Sequence, residues 1–198
     1  MGDAQEFVDS AAGIVADARR MAGLVEDLLA ISVAPAGGTM LKLEPVPVID
    51  LLKQAARLAQ LRADQAQLRL DLKHERELTT IHVHVDRMMR VFGNLLDNAF
   101  KFTGAGGEVV MCAEPAPGGV LFSLANSGAA VPAADIERLF RPFWQAGRED
   151  TRGAGLGLSI CRSIIEAHGG TVWAEPADGM RLKILFLIPR VHPQTEPT

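Results

Sequence analysis

The first apolar pattern along the chain has a period of 3.5. Phe7, Ala11, Ile14, Ala18, Met21, Val25 and Leu28 alternate spacings of four and three, with Asp17, Arg19, Arg20, Glu26 and Asp27 off the seam. This predicts one long helix from about Glu6 to Ser32 whose seam needs partner helices. A fold back onto its own domain is the plainer alternative. Ala34-Pro35-Ala36-Gly37-Gly38 breaks the helix and marks a linker.

Beyond the linker the period switches between two and 3.6. Lys42–Val46, Leu68–Leu72 and Ile81–Val85 read as strands, and Ile49–Ala66 as a helix with Leu51, Leu52, Ala55, Leu58 and Ala59 apolar. Asp86–Lys101 reads as a strongly periodic helix, with Met88, Phe92, Leu95, Ala99 and Phe102 toward the core. Two hairpins follow, Glu108–Ala113 with Val120–Leu124, and Thr171–Glu175 with Leu182–Ile188. A Gly-rich loop between them leads into a helix ending near His168. The expected fold class is α+β, a two-layer α/β sandwich whose mixed, mostly antiparallel sheet carries its helices on one face. The expected division is a helical segment at 1–34, a globular domain at 35–190 and a polar tail at 191–198. Leu185 and Leu187 are apolar opposite Ile184 and Phe186, which suggests an additional covered surface.

Composition narrows this little. A formal net charge of −4 gives no reason to expect nucleic acid or an anionic membrane as partner. Cys112 and Cys161 lie far apart and in no ligand spacing, as in a reducing compartment. No apolar run approaches the roughly 20 residues that span a bilayer, and no signal peptide is legible. A cytoplasmic location with no membrane contact from this segment is expected, although a parent protein could be anchored elsewhere.

Two segments carry chemistry. Asn94, Asn98 and Lys101 stand at i, i+4 and i+7, one polar stripe on the Asp86–Lys101 helix. Two amide oxygens one turn apart suit a Mg²⁺ shell completed by waters and phosphate, with a lysine as point charge one turn on. A solvated polar face is the plain alternative. Gly153-Ala154-Gly155-Leu156-Gly157-Leu158 runs into a helix, so backbone N–H groups and a helix N-terminus can meet an anion, with Arg148 and Arg152 flanking. The alternative is a flexible turn. No Gly-Lys-Ser/Thr follows, so the loop is not of the Walker kind.

In order and spacing, these segments resemble the histidine-kinase branch of the family shared with DNA gyrase, Hsp90 and MutL. Asn94-Leu95-Leu96-Asp97-Asn98-Ala99-Phe100-Lys101-Phe102-Thr103 resembles the N box, and Leu139-Phe140-Arg141-Pro142-Phe143-Trp144 the F box. Gly153–Leu158 resembles the G2 box, Glu166-Ala167-His168-Gly169-Gly170 the close of the next helix, and Arg20–Leu29 the second helix of a dimerisation and phosphoacceptor hairpin. The resemblance implies ATP and Mg²⁺ as ligands. Asn94, Asn98 and Lys101 would handle metal and phosphates, with Asn94 and Lys101 catalytic. Gly153, Gly155, Gly157 and Leu158 would cradle phosphate. Residues 144–152 would form a lid anchored by Phe140 and Phe143. Implied partners are the phosphoacceptor histidine helix of a parent kinase, a response regulator receiver domain, and a second copy in the full protein.

Two departures qualify it. None of His74, His82, His84, His168 and His192 stands in a phosphoacceptor setting. The acceptor is expected on a helix before residue 6, this chain being a piece of a longer kinase. His82 and His84 are expected on the solvent side of their strand. In the G1 box the usual Asp-x-Gly-x-Gly is Asn126-Ser127-Gly128-Ala129-Ala130. An Asn carbonyl still accepts a bond from the adenine amino group, without charge assistance, and Leu182-Lys183 replace the small hydroxyl residues usual near the adenine end. Weakened nucleotide binding follows, and Asn126→Asp is expected to tighten it. A non-catalytic adaptor that docks a response regulator is the competing reading. An anti-sigma-factor kinase leaves the Arg20–Leu29 helix unexplained. The N-box position of the glutamate found in ATP-hydrolysing relatives is Asn94, which argues against an ATPase of the gyrase or Hsp90 kind.

Overall fold

The computed structural model describes residues 41–75, 78–128, 131–145, 154–177 and 180–190. The expected helix at 6–32 and the tail at 191–198 lie outside them.

Strand β1 (Glu44–Pro47) leads into α1 (Val48–Gln65), β2 (Arg69–His74), β3 (Thr80–Val83) and α2 (Val85–Lys101). The hairpin β4 (Glu108–Ala116) and β5 (Gly119–Asn126), a short turn α3 (Ala133–Ile136), α4 (Gly157–Ala167), and the hairpin β6 (Thr171–Ala177) and β7 (Met180–Pro189) follow. The main sheet runs β2-β4-β5-β7-β6, with β2 parallel to β4 and every other pair antiparallel. Helices α1, α2 and α4 pack on one face, which is the two-layer sandwich that the periodicity predicts.

Strand alternation places Val109, Met111, Ala113, Val120, Phe122, Leu124, Leu182, Ile184, Phe186 and Ile188 on the helix side, all buried. Helix α2 answers with Met88, Val91, Phe92, Leu95, Leu96 and Ala99. Phe122 and Phe186 stack at 4.8 Å between centroids, and Phe92 stands edge-on to Phe122 at 5.8 Å. Such aromatic pairs add about 0.5–1.5 kcal/mol beyond area burial. The small ribbon β1–β3 sits apart from the main sheet. It pairs Glu44 with Val83 and Pro47 with Thr80 in antiparallel register, so α1 and α2 start from opposite ends of the ribbon.

Three expectations need correction. Leu58 is not a core residue: it is 67% exposed on α1, because the helix turns its 51/52/55/59 stripe inward. Phe102 is the C-cap of α2 and only half-buried, with the Lys101 ammonium 4.8 Å above its ring. His84 is not a solvent-facing strand residue. Strand β3 ends at Val83, and His84 is the N-cap of α2, half-buried and with its Nδ1 fully enclosed. His82 is exposed as expected. Leu185 is buried on the far face of the sheet, opposite Trp173 in the β6–β7 register.

Candidate functional site

Helix α2 is the axis of the site. Asn94, Asn98 and Lys101 lie partly exposed on one side of it while the apolar stripe faces the sheet. Near its middle, Asn94 Nδ2 donates to the carbonyl of Gly157 at 3.3 Å. A Cβ on Gly157 would sit 3.8 Å from Asn94 Cβ and Cγ, so the first residue of α4 lies directly against the asparagine. Folding thus joins two segments 63 positions apart. The amide nitrogen of Asn94 is engaged, and its Oδ1 has no hydrogen bond to any described residue. That is the donor set a hard cation accepts: a neutral oxygen, with a second amide one turn away at Asn98. Among the described residues, no cluster of three or more His, Cys, Asp or Glu side chains could hold a metal.

Helix α4 begins at Gly157 behind the left-handed Gly155, whose φ is +70°. Ser159 Oγ and the Ile160 N–H both bond the Leu156 carbonyl. The N–H groups of the first turn precede any i−4 partner and lie at the positive end of the helix dipole. Leu158 is half-buried beside them. The F-box aromatics divide. Phe140 is 4% exposed, part of the core, and has the Arg162 guanidinium 4.8 Å over its ring. Phe143 is 67% exposed at φ +62°, and its N–H donates to the Gly155 carbonyl at 3.0 Å. The F box and the glycine loop are therefore in direct contact. Arg148, Arg152 and Gly153 lie outside the described residues, as do Ala129 and Ala130.

The other end of α2 reaches β5. Asn126, the last residue of β5, is 7% exposed, and Gly128 follows in the bend that leaves the strand. Thr103, just beyond α2, bonds both Asn126 and the Ala99 carbonyl. Thr103 stands nine positions beyond Asn94, just past the C-cap of α2, a rise of about 13 Å at helical spacing, so the two polar ends can lie along one extended ligand.

Two residues bind this frame without having stood out in the sequence as chemistry. His168, 1% exposed at the C-cap of α4, accepts the His84 N–H on Nε2 at 3.0 Å. Nε2 therefore carries no proton, and Nδ1 donates to Ile164 O at 2.7 Å. The ring ties the end of α4 to the start of α2. Thr103 is the second, and its hydroxyl within the N-box run is the signal that could have found it.

A family model for histidine kinase-, DNA gyrase B- and HSP90-like ATPases matches residues 83–192. The chain belongs to this family. The alginate biosynthesis sensor protein KinB of Pseudomonas aeruginosa is 32% identical over 170 residues, covering 86% of this chain and 28% of KinB. The solved catalytic domain of histidine kinase ThkA aligns with a TM-score of 0.68 at 28% identity, covering 76% of this chain and 97% of that domain. ThkA in complex with the response regulator TrrA gives 0.74 at 25%, covering 91% and 50%. Full-length ShkA in complex with AMPPNP gives 0.75 at 33%, covering 86% and 36%. The chain spans only about a quarter to two fifths of the length of curated relatives such as KinB and the sensor kinase BaeS of Escherichia coli. No helix among the described residues is long and apolar enough to cross a membrane.

Proposed function

We propose that this chain supplies the ATP-binding catalytic domain of a two-component sensor histidine kinase, which delivers the γ-phosphoryl group to a histidine presented by another segment. The observation that carries the reading is the Asn94–Gly157 contact, which sets the polar stripe of α2 against the N-terminus of α4. Phosphates would lie at that N-terminus, held by N–H groups of the Gly153–Leu158 loop and by Lys101, with Arg148 and Arg152 closing from the segment 144–152. Asn94 and Asn98 would hold Mg²⁺, which when bound neutralises phosphate charge. Asn126 and Gly128 would meet the base. Phe140 fixes the foot of the lid in the core, and Phe143 couples its start to Gly155.

No general base is required, because an imidazole is already a nucleophile. The domain's contribution is then positioning and charge neutralisation. The His168 ring is occupied at both nitrogens in the frame joining α2 to α4, and the His84 Nδ1 is enclosed at the start of α2, which supports an acceptor elsewhere. The segment 1–34 would be the second helix of the dimerisation hairpin, giving a homodimer in the parent protein. A response regulator receiver domain would take the phosphoryl group onward, as the ThkA–TrrA complex suggests. A cytoplasmic site of action goes with this reading.

The competing adaptor reading has in its favour the asparagine in the G1 box. Against it stands the Asn126 carbonyl oxygen, which makes no hydrogen bond to any described residue and keeps the acceptor that the base needs. Titration calorimetry with ADP and a non-hydrolysable ATP analogue, with and without Mg²⁺, tests the proposal. Micromolar binding that depends on Mg²⁺ is expected. A folded chain that binds neither at millimolar concentration refutes it.

A further inference from the structure

A buried asparagine amide has an oxygen that only accepts and a nitrogen that only donates, so its neighbours decide which end meets a ligand. Around Asn126 that decision is complete. Nδ2 donates to the Ser127 carbonyl at 3.1 Å and to Thr103 Oγ1 at 3.0 Å. The Ser127 carbonyl has no proton to give. The Thr103 hydroxyl does, but donates it to the Ala99 carbonyl at 2.7 Å, so only its lone pairs face Asn126.

Both neighbours are themselves fixed. The Ser127 N–H donates to Glu108 O at 2.9 Å, and Ser127 Oγ accepts the Glu108 N–H at 2.8 Å. Gly107 packs against both, since a Cβ there would strike Thr103 Cγ2 and lie 2.7 Å from Ser127 Oγ. Both N–H groups of Asn126 are thereby used, and Oδ1 bonds no described residue.

We infer that Thr103 is a positioning residue for base selection: by accepting from Nδ2, it holds the Asn126 amide with Oδ1 toward the nucleotide. This rests on the nucleotide-binding reading above and names what the site selects, a purine with an exocyclic amine rather than a carbonyl at the corresponding ring position. An aspartate presents only acceptors however it turns. An asparagine does not, and with its amide reversed it would donate to guanine. A chain with asparagine at 126 therefore needs an orienting device, and the Thr103–Ala99 relay is one. The relay also bears on the aspartate expected to tighten binding. A carboxylate at 126 has no N–H for Ser127 O, and Thr103 must abandon Ala99 to serve it, so the gain in charge at the base is offset.

The test is calorimetric titration of the chain with Mg·ADP and Mg·GDP. The wild type should prefer ADP on the order of 100-fold, because a guanine carbonyl would leave Asn126 Oδ1 facing another acceptor, the loss expected of one buried polar group left unsatisfied. Thr103→Val keeps the shape without the hydroxyl and should narrow the preference about tenfold, the effect of one net hydrogen bond. Thr103→Ser should restore it. A wild type that prefers ADP and a Thr103→Val variant with the same ratio overturn the inference alone. A wild type that binds neither nucleotide overturns the nucleotide reading and the inference with it. Side-chain amide exchange of Asn126 by NMR serves independently of how the variant folds. Both N–H protons should be protected in the free protein, and exchange of either at the rate of an exposed amide refutes the orientation.

Discussion

Replacing Gly155 with alanine should disable the phosphate end while leaving the fold in place. Gly155 sits at φ +70°, where an L-residue is strained by about 1–2 kcal/mol. The added Cβ would stand 2.8 Å from Phe143 C, 2.9 Å from Trp144 O and 3.0 Å from Phe143 Cα, all main-chain atoms that no rotamer change can clear. The F-box chain must move outward, which breaks the Phe143 N–H bond to the Gly155 carbonyl, worth about 1 kcal/mol. Together these give about 2–3 kcal/mol, or about 30- to 150-fold in an equilibrium constant. The loop can relieve the strain by leaving its position, because Phe143 is largely exposed. The loss should therefore appear in ADP affinity, with only a small shift in melting temperature. Titration calorimetry beside thermal melts with and without ADP measures both. A Gly155→Ala variant with wild-type ADP affinity would show that contact between F box and glycine loop does not position phosphate.

Gly93→Ala is the contrast: a Cβ there meets nothing within 4 Å in the middle of α2, so urea unfolding should show a gain of about 0.5–1 kcal/mol. Phe122→Ala removes the ring between Phe92 and Phe186 and should cost about 3–5 kcal/mol by the same measurement. The Arg69 guanidinium, 2.8 Å from Glu108 across the β2–β4 register, holds the Glu108 carboxyl below its ordinary value of 4.5. A depressed carboxyl contributes stability that is present above its ordinary value and lost as pH falls through its lower folded value. Arg69→Ala should raise the Glu108 titration seen by NMR and weaken the acid dependence of the melting temperature; an unmoved titration refutes the pairing. Burial, then the nearby Glu114 charge, pushes the Cys112 thiol up, so at neutral pH it should alkylate more slowly than free cysteine. A rate equal to that of the free thiol contradicts that environment.

Both hairpins, the parallel-plus-antiparallel sheet and the one-sided helix layer were legible because alternation and the 3.6 period each specify a buried face. The boundaries slipped where periodicity has no say. Val85 continues the alternation of Ile81 and Val83, yet the chain has already turned into α2 there, so His84 became a helix cap rather than a strand residue. Leu58 has the right residue type and the wrong angle on its helix.

By itself, the sequence determined the Asn94-Asn98-Lys101 stripe and the glycine loop ahead of a helix, because helix and loop geometry repeat within a few residues. Its resemblance to the family marked these as boxes and set an asparagine where the G1 box has aspartate. Only the tertiary structure decided what those boxes touch. Asn94 meets Gly157, His168 takes the His84 N–H, Phe140 and Phe143 go to opposite environments, and the Asn126 amide is turned by Thr103. Each of these joins groups distant in sequence or depends on which atom of an ambivalent side chain faces which neighbour, and a one-dimensional pattern carries neither distance nor orientation.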